Sequence, residues 1–387
     1  MTTEKLYDAD AYLAVFDAQV LACEPTEGGY GVVLDRTAFF PEEGGQHADA
    51  GTLVYDGGRA VVSGACLQDG VIVHQTDLPI PVGKCVRGAL DFCRRFRNMQ
   101  HHTAEHILSG LIFSSYGYHN VGFHLGSEDV TIDLSGELDR EQQAEIERRA
   151  NEVVWQNLAV TARYPEEEEV ATLCYRSKLA LTDHVRIVTV PGVDCCACCA
   201  PHVHRTGEIG VIKILDTLRY KGGMRLHFRC GADALADYGA RYHAVREISR
   251  LLSVEQGRVT AGVTRLLDAQ GKLAGELAAA RRSLIRSELS HTPPRANGAG
   301  LYRAVFLPFA DQRVLRGAAE EWAGAVPGEA VALFGQTDGG YAYVIAGESG
   351  CTAALFAALK AMPGSGGGRG IYCGSVRADR EAILAQL

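Results

Sequence analysis

Two four-residue spacings carry the chemistry of this chain most directly. HHTAEH occupies positions 101–106, so His102 and His106 stand four apart and project both imidazoles from one face of a helix. A helix commonly offers two nitrogens to one metal ion in this way. His101, one position early, faces elsewhere. DCCACCAPHVHRTGEIG, 194–210, sets Cys198 four residues before His202. A thiolate and an imidazole at that spacing complete a four-ligand tetrahedral set with the helical pair. The residues alone leave rivals open. Two histidines four apart also occur as a plain surface pair. Two overlapping C-x-x-C pairs, Cys195 with Cys198 and Cys196 with Cys199, admit a redox pair or an all-cysteine zinc knuckle. The knuckle needs four convergent ligands, and adjacent cysteines usually point apart.

HTAEH also satisfies H-x-x-E-H, the inverted-zincin metalloprotease motif, with Glu105 as general base. Those proteases typically add a downstream glutamate, whereas the further ligands here are Cys198 and His202. A non-enzymatic alternative is an RNA-binding or oligomerising module with a structural zinc, because four protein ligands close a tetrahedral site.

The elements that must position these residues follow from periodicity. Residues 1–95 read as a β-rich, glycine-rich barrel or sandwich, with alternating runs such as TLVYD and GVIVHQT. A helix from about 96 to 115 carries the two histidines. A strand at 129–134, a charged helix at 137–157 and the strands GVIKIL and MRLHFRC make 96–240 an α+β unit around the cysteines. From 241 to 290, Val259, Val263, Leu266, Gln270, Leu273, Leu277, Ala280 and Leu284 form a heptad seam. Gly257, Gly262, Gly271 and Gly275 weaken that arm by up to ~1 kcal/mol each, so the seam needs a partner helix or a second subunit. HTPPRANGAG, 291–300, is a linker by composition, and 291–387 alternates strands and helix as a small α/β domain. PGSGGGRG, 363–370, reads as a glycine-rich loop; it lacks the GK[ST] ending of a Walker motif.

Composition narrows the function classes. The 387 residues are 47% hydrophobic and 22% charged, as in ordinary globular proteins. MTTEKLYDADAYL has neither the basic start nor the apolar core of a secretory signal, and no apolar run is long enough to span a bilayer. The expectation is a cytoplasmic protein without a membrane partner. Twelve cysteines, four of them within 195–199, suit reduced thiols with one metal or redox site better than a disulfide scaffold. The net charge of −9 argues against broad nucleic-acid binding. Two local basic clusters, Arg94, Arg95 and Arg97, and Lys213, Arg219, Lys221, Arg225 and Arg229, read as a phosphate track, with Arg225 as a substrate contact, or as a solvated face.

HTAEH followed by CCAPHVHRTGEIG resembles the editing domain of alanyl-tRNA synthetases and their free-standing long-form AlaX relatives. The family pairs H-x-x-x-H with C-x-x-x-H to hold zinc, which implies one Zn²⁺ per chain on His102, His106, Cys198 and His202. RTAFFPEEGGQHADAGTL, 36–53, is similar to the family's glycine-rich motif beside the pocket, which implicates Gly44 and Gly45 in substrate binding and Thr37 and Gln46 as catalytic-site residues lining the amino-acid pocket. FHLG, 123–126, and KGGMRLHFRCG, 221–231, also match family segments. Where the family often carries CGGTH, this chain has CCAPH, with Cys199 and Pro201 substituted. The resemblance is strong over about 1–240, and 241–387 looks like the helical arm and a divergent synthetase C-terminal domain. It implies an α+β fold with an N-terminal β-barrel, an editing core with the zinc site, a coiled-coil arm and a small C-terminal α/β domain that dimerises or binds tRNA. It implies an aminoacyl-tRNA hydrolase acting in trans, without an aminoacylation domain, on mischarged tRNA(Ala), seryl- and glycyl-tRNA(Ala) being the substrates. A synthetase pocket for alanine cannot strongly reject serine, which adds one hydroxyl, or the smaller glycine.

Overall fold

The computed structural model describes residues 2–126, 130–170, 172–177 and 185–387. The chain is a mixed α+β protein in two compact units, Met1–Ala244 and Val245–Leu387.

In the first unit, the alternating runs close into a six-stranded antiparallel barrel. Going round it, the strands are Val15–Thr26, Gly29–Leu34, Val71–Thr76, Gly58–Gln68, Gly51–Tyr55 and Cys85–Leu90, which returns to the first. Period-two alternation decides what fills it: Phe16, Ala18 and Val20 turn inward from the first strand to meet Val32, Leu34, Leu53, Val62 and Val86.

The histidine helix spans Phe92–Tyr116. It starts a turn earlier than the apolar pattern because Asp91 caps it, accepting from the Arg94 N–H at 3.1 Å. Gly117 ends it in the left-handed conformation, φ 71°. Beside it lies an antiparallel sheet in the order Ile212–Tyr220, Gly223–Cys230, Val130–Leu134, Asn120–Leu125. The strand expected from 129 is described from Val130; Asp129 lies outside the described residues. A second helix, Arg140–Gln156, begins on a reciprocal capping box between Asp139 and Gln142. Ile107, Leu108 and Ile112 of the first helix, Ile146 and Val153 of the second, and Ile132, Leu226 and Phe228 of the sheet share one core. Asn151 and Glu147 also hydrogen-bond the backbone of Ile212 and Ile214, which blunts that strand's free edge. Cys195 and Cys196 sit on a small antiparallel sheet of Thr161–Arg163, Ile187–Val190 and Asp194–Ala197, and Cys198 and Cys199 follow directly after it.

Two basic clusters read differently in three dimensions. Arg95 is wholly buried and forms an ion pair with the equally buried Asp49. It also donates to the carbonyls of Ala11 and Ala38, while Asp49 accepts from the Phe40 N–H at 2.6 Å. Arg95 is therefore a strut between barrel and helix, not part of a phosphate track. Of the second cluster, Lys213, Arg219, Arg225 and Arg229 each pair with an acid, Glu147, Glu137, Asp133 and Asp237 respectively. Net charge per segment could not show three of these partners, because Glu147, Glu137 and Asp133 lie 66, 82 and 92 residues away in the chain.

The second unit contains the long helix Val259–His291 and a six-stranded mixed sheet in the order Arg295–Asn297, Gly300–Leu307, Glu329–Thr337, Gly340–Gly347, Ile371–Val376, Gly364–Arg369. Val331 and Leu333 of the buried central strand face Leu315 and Ala319 of the helix Gln312–Ala325, together with Ile285 and Leu289 of the long helix. Phe334 and its neighbours face Leu355 and Leu359 of the helix Ser349–Lys360. The seam residues Val263, Leu266, Leu273, Leu277 and Leu284 are exposed. The glycine-rich stretch expected to be a loop is an edge strand, Gly364–Arg369, paired with Ile371–Val376. Its glycines permit close approach rather than looseness: a Cβ on Gly366 would come 2.0 Å from the Tyr343 hydroxyl. Among the described residues, no helix is long and apolar enough to cross a membrane.

Candidate metal centre

His102 and His106 leave the same face of the histidine helix, 3% and 2% exposed, with ring centroids 5.5 Å apart. His101 turns to the sheet, bonding the Arg97 carbonyl and accepting from the Cys230 N–H. Beyond the strand Asp194–Ala197, the loop carrying Cys198 and His202 folds over the helix. Its backbone is held by Arg186, whose Nη1 donates to the carbonyls of Cys198 at 3.1 Å and Ala200 at 2.8 Å. Cys198 Sγ lies 3.5 Å from His102 Nε2 and 3.4 Å from His202 Nε2. One donor atom from each of His102, His106, Cys198 and His202 lies within 4.8 Å of all the others, so these four residues could hold a metal ion.

The outer nitrogen of each imidazole decides how it presents the inner one. His106 Nδ1 faces Asp194 Oδ2 at 2.9 Å. A carboxylate only accepts, so Nδ1 carries a proton and Nε2 is turned to the ligand group. Burial works to lower the His106 pKa, but Asp194 and Cys198 raise it well above the ordinary imidazole range. Asp194 is held in turn by Arg176 through two bonds of 2.7 and 2.9 Å. Burial works to raise the Asp194 pKa, but His106 and Arg176 hold it below the usual carboxylate range. Thr103 donates to the Met99 carbonyl at 2.8 Å, so its oxygen accepts from His202 Nδ1 at 3.0 Å. Gln46 Oε1 takes His102 Nδ1 at 3.0 Å. All three Nε2 atoms therefore converge on Cys198.

The four crowded cysteines separate by environment. Burial pushes the Cys199 thiol up to about 12 and the Cys196 thiol up to about 11. Burial opposes ionisation of Cys198 too, yet the facing imidazoles of His102 and His202 bring it well below the ordinary thiol range. Cys199 packs with Tyr7, Phe40 and Ala200 in a small apolar cluster. Cys195 accepts weakly from Thr189 at 3.7 Å. Cys196 lies beside Asp194 and His106.

The glycine-rich motif reaches the same place. Glu43 and Gln46 exchange backbone hydrogen bonds of 3.2 and 3.1 Å across Gly44 and Gly45, whose φ angles of 64° and 81° make a two-residue turn of the I′ kind. A Cβ on Gly45 would lie 2.4 Å from the Phe123 carbonyl oxygen, and one on Gly44 3.5 Å from Cys199 Sγ. Gln46, Gly44 and Gly45 thus flank the ligand group.

Thr37 does not join them. It is fully buried in the barrel, donating to His74 Nε2 at 2.8 Å and accepting from the Phe39 N–H at 3.1 Å. Arg225 alternates with the core residues Met224 and Leu226, so it leaves the sheet's other face, paired with Asp133 and lying over the Tyr220 ring. Glu105 Oε1 accepts from Ser109 at 2.6 Å and from Asn120. Asp194, Thr103 and Arg176 were not singled out by sequence. Only the position of Asp194 beside CCACC hinted at it.

Comparison with known proteins bears on this group directly. Residues 185–226, which include Arg186, Asp194, Cys198 and His202, match the family described as "Threonyl and Alanyl tRNA synthetase second additional domain". Residues 6–94 match "tRNA synthetases class II (A)". The alanine–tRNA ligase of Halobacterium salinarum is 38% identical over 271 residues, 66% of this chain and 29% of that protein. The chain belongs to the alanyl-tRNA synthetase editing-domain family. Other members of the family with similar sequences are the alanine–tRNA ligases of Natronomonas pharaonis, 36% identical over 69% of this chain and 30% of that protein, and Methanothermobacter thermautotrophicus, 30% identical over 76% and 34%. The chain thus spans about a third of the length of these curated relatives. The solved C-Ala domain of Aquifex aeolicus alanyl-tRNA synthetase aligns with 24% of this chain and 92% of that one, at 15% identity. Its TM-score of 0.22 carries no weight for the fold of the second unit.

Proposed function

We propose that this family member hydrolyses, in trans, the ester of mischarged tRNA(Ala), with seryl-tRNA(Ala) as first substrate and glycyl-tRNA(Ala) as second. The observation that carries the proposal is the convergence of three Nε2 atoms and the Cys198 sulfur beside the glycine-rich turn.

The donor set fits one Zn²⁺. Metal–sulfur bonds of about 2.3 Å and metal–nitrogen bonds of about 2.0–2.1 Å in a tetrahedron put sulfur and nitrogen about 3.5 Å apart. The 3.5 and 3.4 Å separations from Cys198 agree. Bound there, zinc would polarise the ester carbonyl or lower the pKa of a water. The chain's own residues do the positioning. Gln46, Thr103 and Asp194 fix the three imidazole rings, Arg176 fixes Asp194, and Arg186 fixes the Cys198–Ala200 backbone. Phe123, whose ring centroid is 4.9 Å from that of His102, is an apolar wall for a small aminoacyl group. Thr37, committed to His74 and Phe39, acts as a positioning residue at the root of the glycine-rich motif. The exposed seam of the long helix pairs with a second copy of the chain; a monomer at every concentration in sedimentation equilibrium would remove this part.

The test is deacylation of radiolabelled seryl-tRNA(Ala) by the zinc-loaded protein. Release of serine is expected, and His102→Ala should abolish it. A folded His102→Ala variant that works at the parent rate overturns the catalytic reading of the centre.

A further inference from the structure

The turn beside the centre carries a carboxylate that the site described above does not use. Glu43 and Gln46 form a directly opposed antiparallel pair, so their side chains leave the same face of the turn. Gln46 identifies that face, because its Oε1 accepts from the ligand His102. Among the described residues, Glu43 Oε2 and Gln46 Nε2 are both buried with no hydrogen-bond partner. Glu43 forms no ion pair among the described residues, whereas its neighbour Glu42 lies 3.7 Å from His47 at the surface. The turn lies against the loop that bears Cys198: a Cβ on Gly44 would stand 3.5 Å from Cys199 Sγ, and Tyr7 packs in the same cluster as Cys198 and Cys199.

One acceptor-only oxygen and one N–H donor thus stand unmatched on the face turned to the metal ligands. Buried polar atoms of this kind are rare and costly, and they persist where a ligand completes them. An aminoacyl ester supplies both complements within one small group: an α-ammonium that only donates, and carbonyl or hydroxyl oxygens that accept. Resting on the proposed aminoacyl-tRNA hydrolysis, we propose that Glu43 binds the α-ammonium of the aminoacyl group while Gln46 Nε2 donates to one of its oxygens. The substrate class is then narrowed to aminoacyl esters with a free amino group. N-acylated aminoacyl-tRNA is excluded, because it offers Glu43 no charge.

The probe is 3′-seryl-amino-3′-deoxyadenosine, whose amide link resists hydrolysis, compared with its N-acetyl form. Binding of both to the zinc-loaded full chain is measured by calorimetry, for the parent and Glu43→Gln, with metal content measured alongside. The free-amino compound should bind Glu43→Gln about tenfold or more weakly, as for a lost charge-assisted hydrogen bond. The N-acetyl compound should bind the parent about tenfold or more weakly than the free-amino compound does, and no differently in the variant, with zinc at one per chain in both. Unchanged binding of the free-amino compound to Glu43→Gln overturns the proposal. So does equal weakening of both compounds, which would make Glu43 a structural partner of Tyr7. If neither compound binds the parent and seryl-tRNA is not hydrolysed, the hydrolase reading falls and this proposal with it.

Discussion

Asp194 Oδ2 accepts from His106 Nδ1 at 2.9 Å while the same carboxylate is gripped at both oxygens by Arg176. The bond sets the tautomer of His106 and aims its Nε2 at the ligand group, and Arg176 stops the carboxylate from turning away. Asp194→Asn keeps the shape but lets the ring choose the other tautomer. Zinc affinity should fall about 10–100-fold. Competition with a chromophoric chelator measures this, and circular dichroism checks that the fold is retained.

The cysteines should divide by role. Cys198→Ser is expected to lose zinc, whereas Cys199→Ser, altering a thiol packed against Tyr7 and Ala200, should keep one ion per chain by atomic emission. With their pKa values pushed up to about 11 and 12, Cys196 and Cys199 should also alkylate slowly at pH 8 in the native protein. Rapid modification of either would contradict the packing.

Thr37→Val removes the donor to His74 Nε2 and leaves a buried acceptor without its partner. A stability loss of about 1–3 kcal/mol is expected in urea unfolding. Seryl- and glycyl-tRNA(Ala) hydrolysis should fall by the same factor. A loss confined to seryl-tRNA would show instead that Thr37 reads the serine hydroxyl.

His74 gives the barrel a pH dependence. Burial lowers its pKa to about 4, against the ordinary 6.5 retained in the unfolded chain. The unfolded chain therefore binds the extra proton first, and the native state loses stability as pH falls from 6.5 towards 4. The full effect is on the order of 3 kcal/mol, absent above pH 6.5. Subtracting the unfolding free energy of His74→Gln from that of the parent, pH by pH, isolates it. A flat difference between pH 7 and pH 4 would mean that His74 titrates normally.

Breaking the Arg95–Asp49 strut should be severe from one side and mild from both. Asp49→Ala leaves a guanidinium buried and unpaired, at a cost of about 3–5 kcal/mol. The double variant Asp49→Leu/Arg95→Met removes both charges and should recover much of that loss. Chemical denaturation of the three proteins compares them.

What was legible in the sequence was local in origin. A helix repeats every 3.6 residues, so His102 and His106 had to share a face, and strand alternation marked the barrel's inside from TLVYD and GVIVHQT. The chemistry of Cys198 with His202 could likewise be read from spacing, and the family resemblance linked that pair to the helix. Orientation was not legible. Gln46, Asp194 and Thr103 reach the imidazoles of His102, His106 and His202 across 56, 88 and 99 residues, and no periodicity encodes such pairings. The same holds for Arg95, basic by composition yet sealed against Asp49, and for the glycines of 363–370, which suggest a loose loop until the Tyr343 hydroxyl fills the space a side chain would need. The sequence by itself determined which atoms can bind a metal. Only the tertiary structure decided which way each imidazole faces and which cysteine they face, because burial and hydrogen-bond partners arise from packing distant segments together.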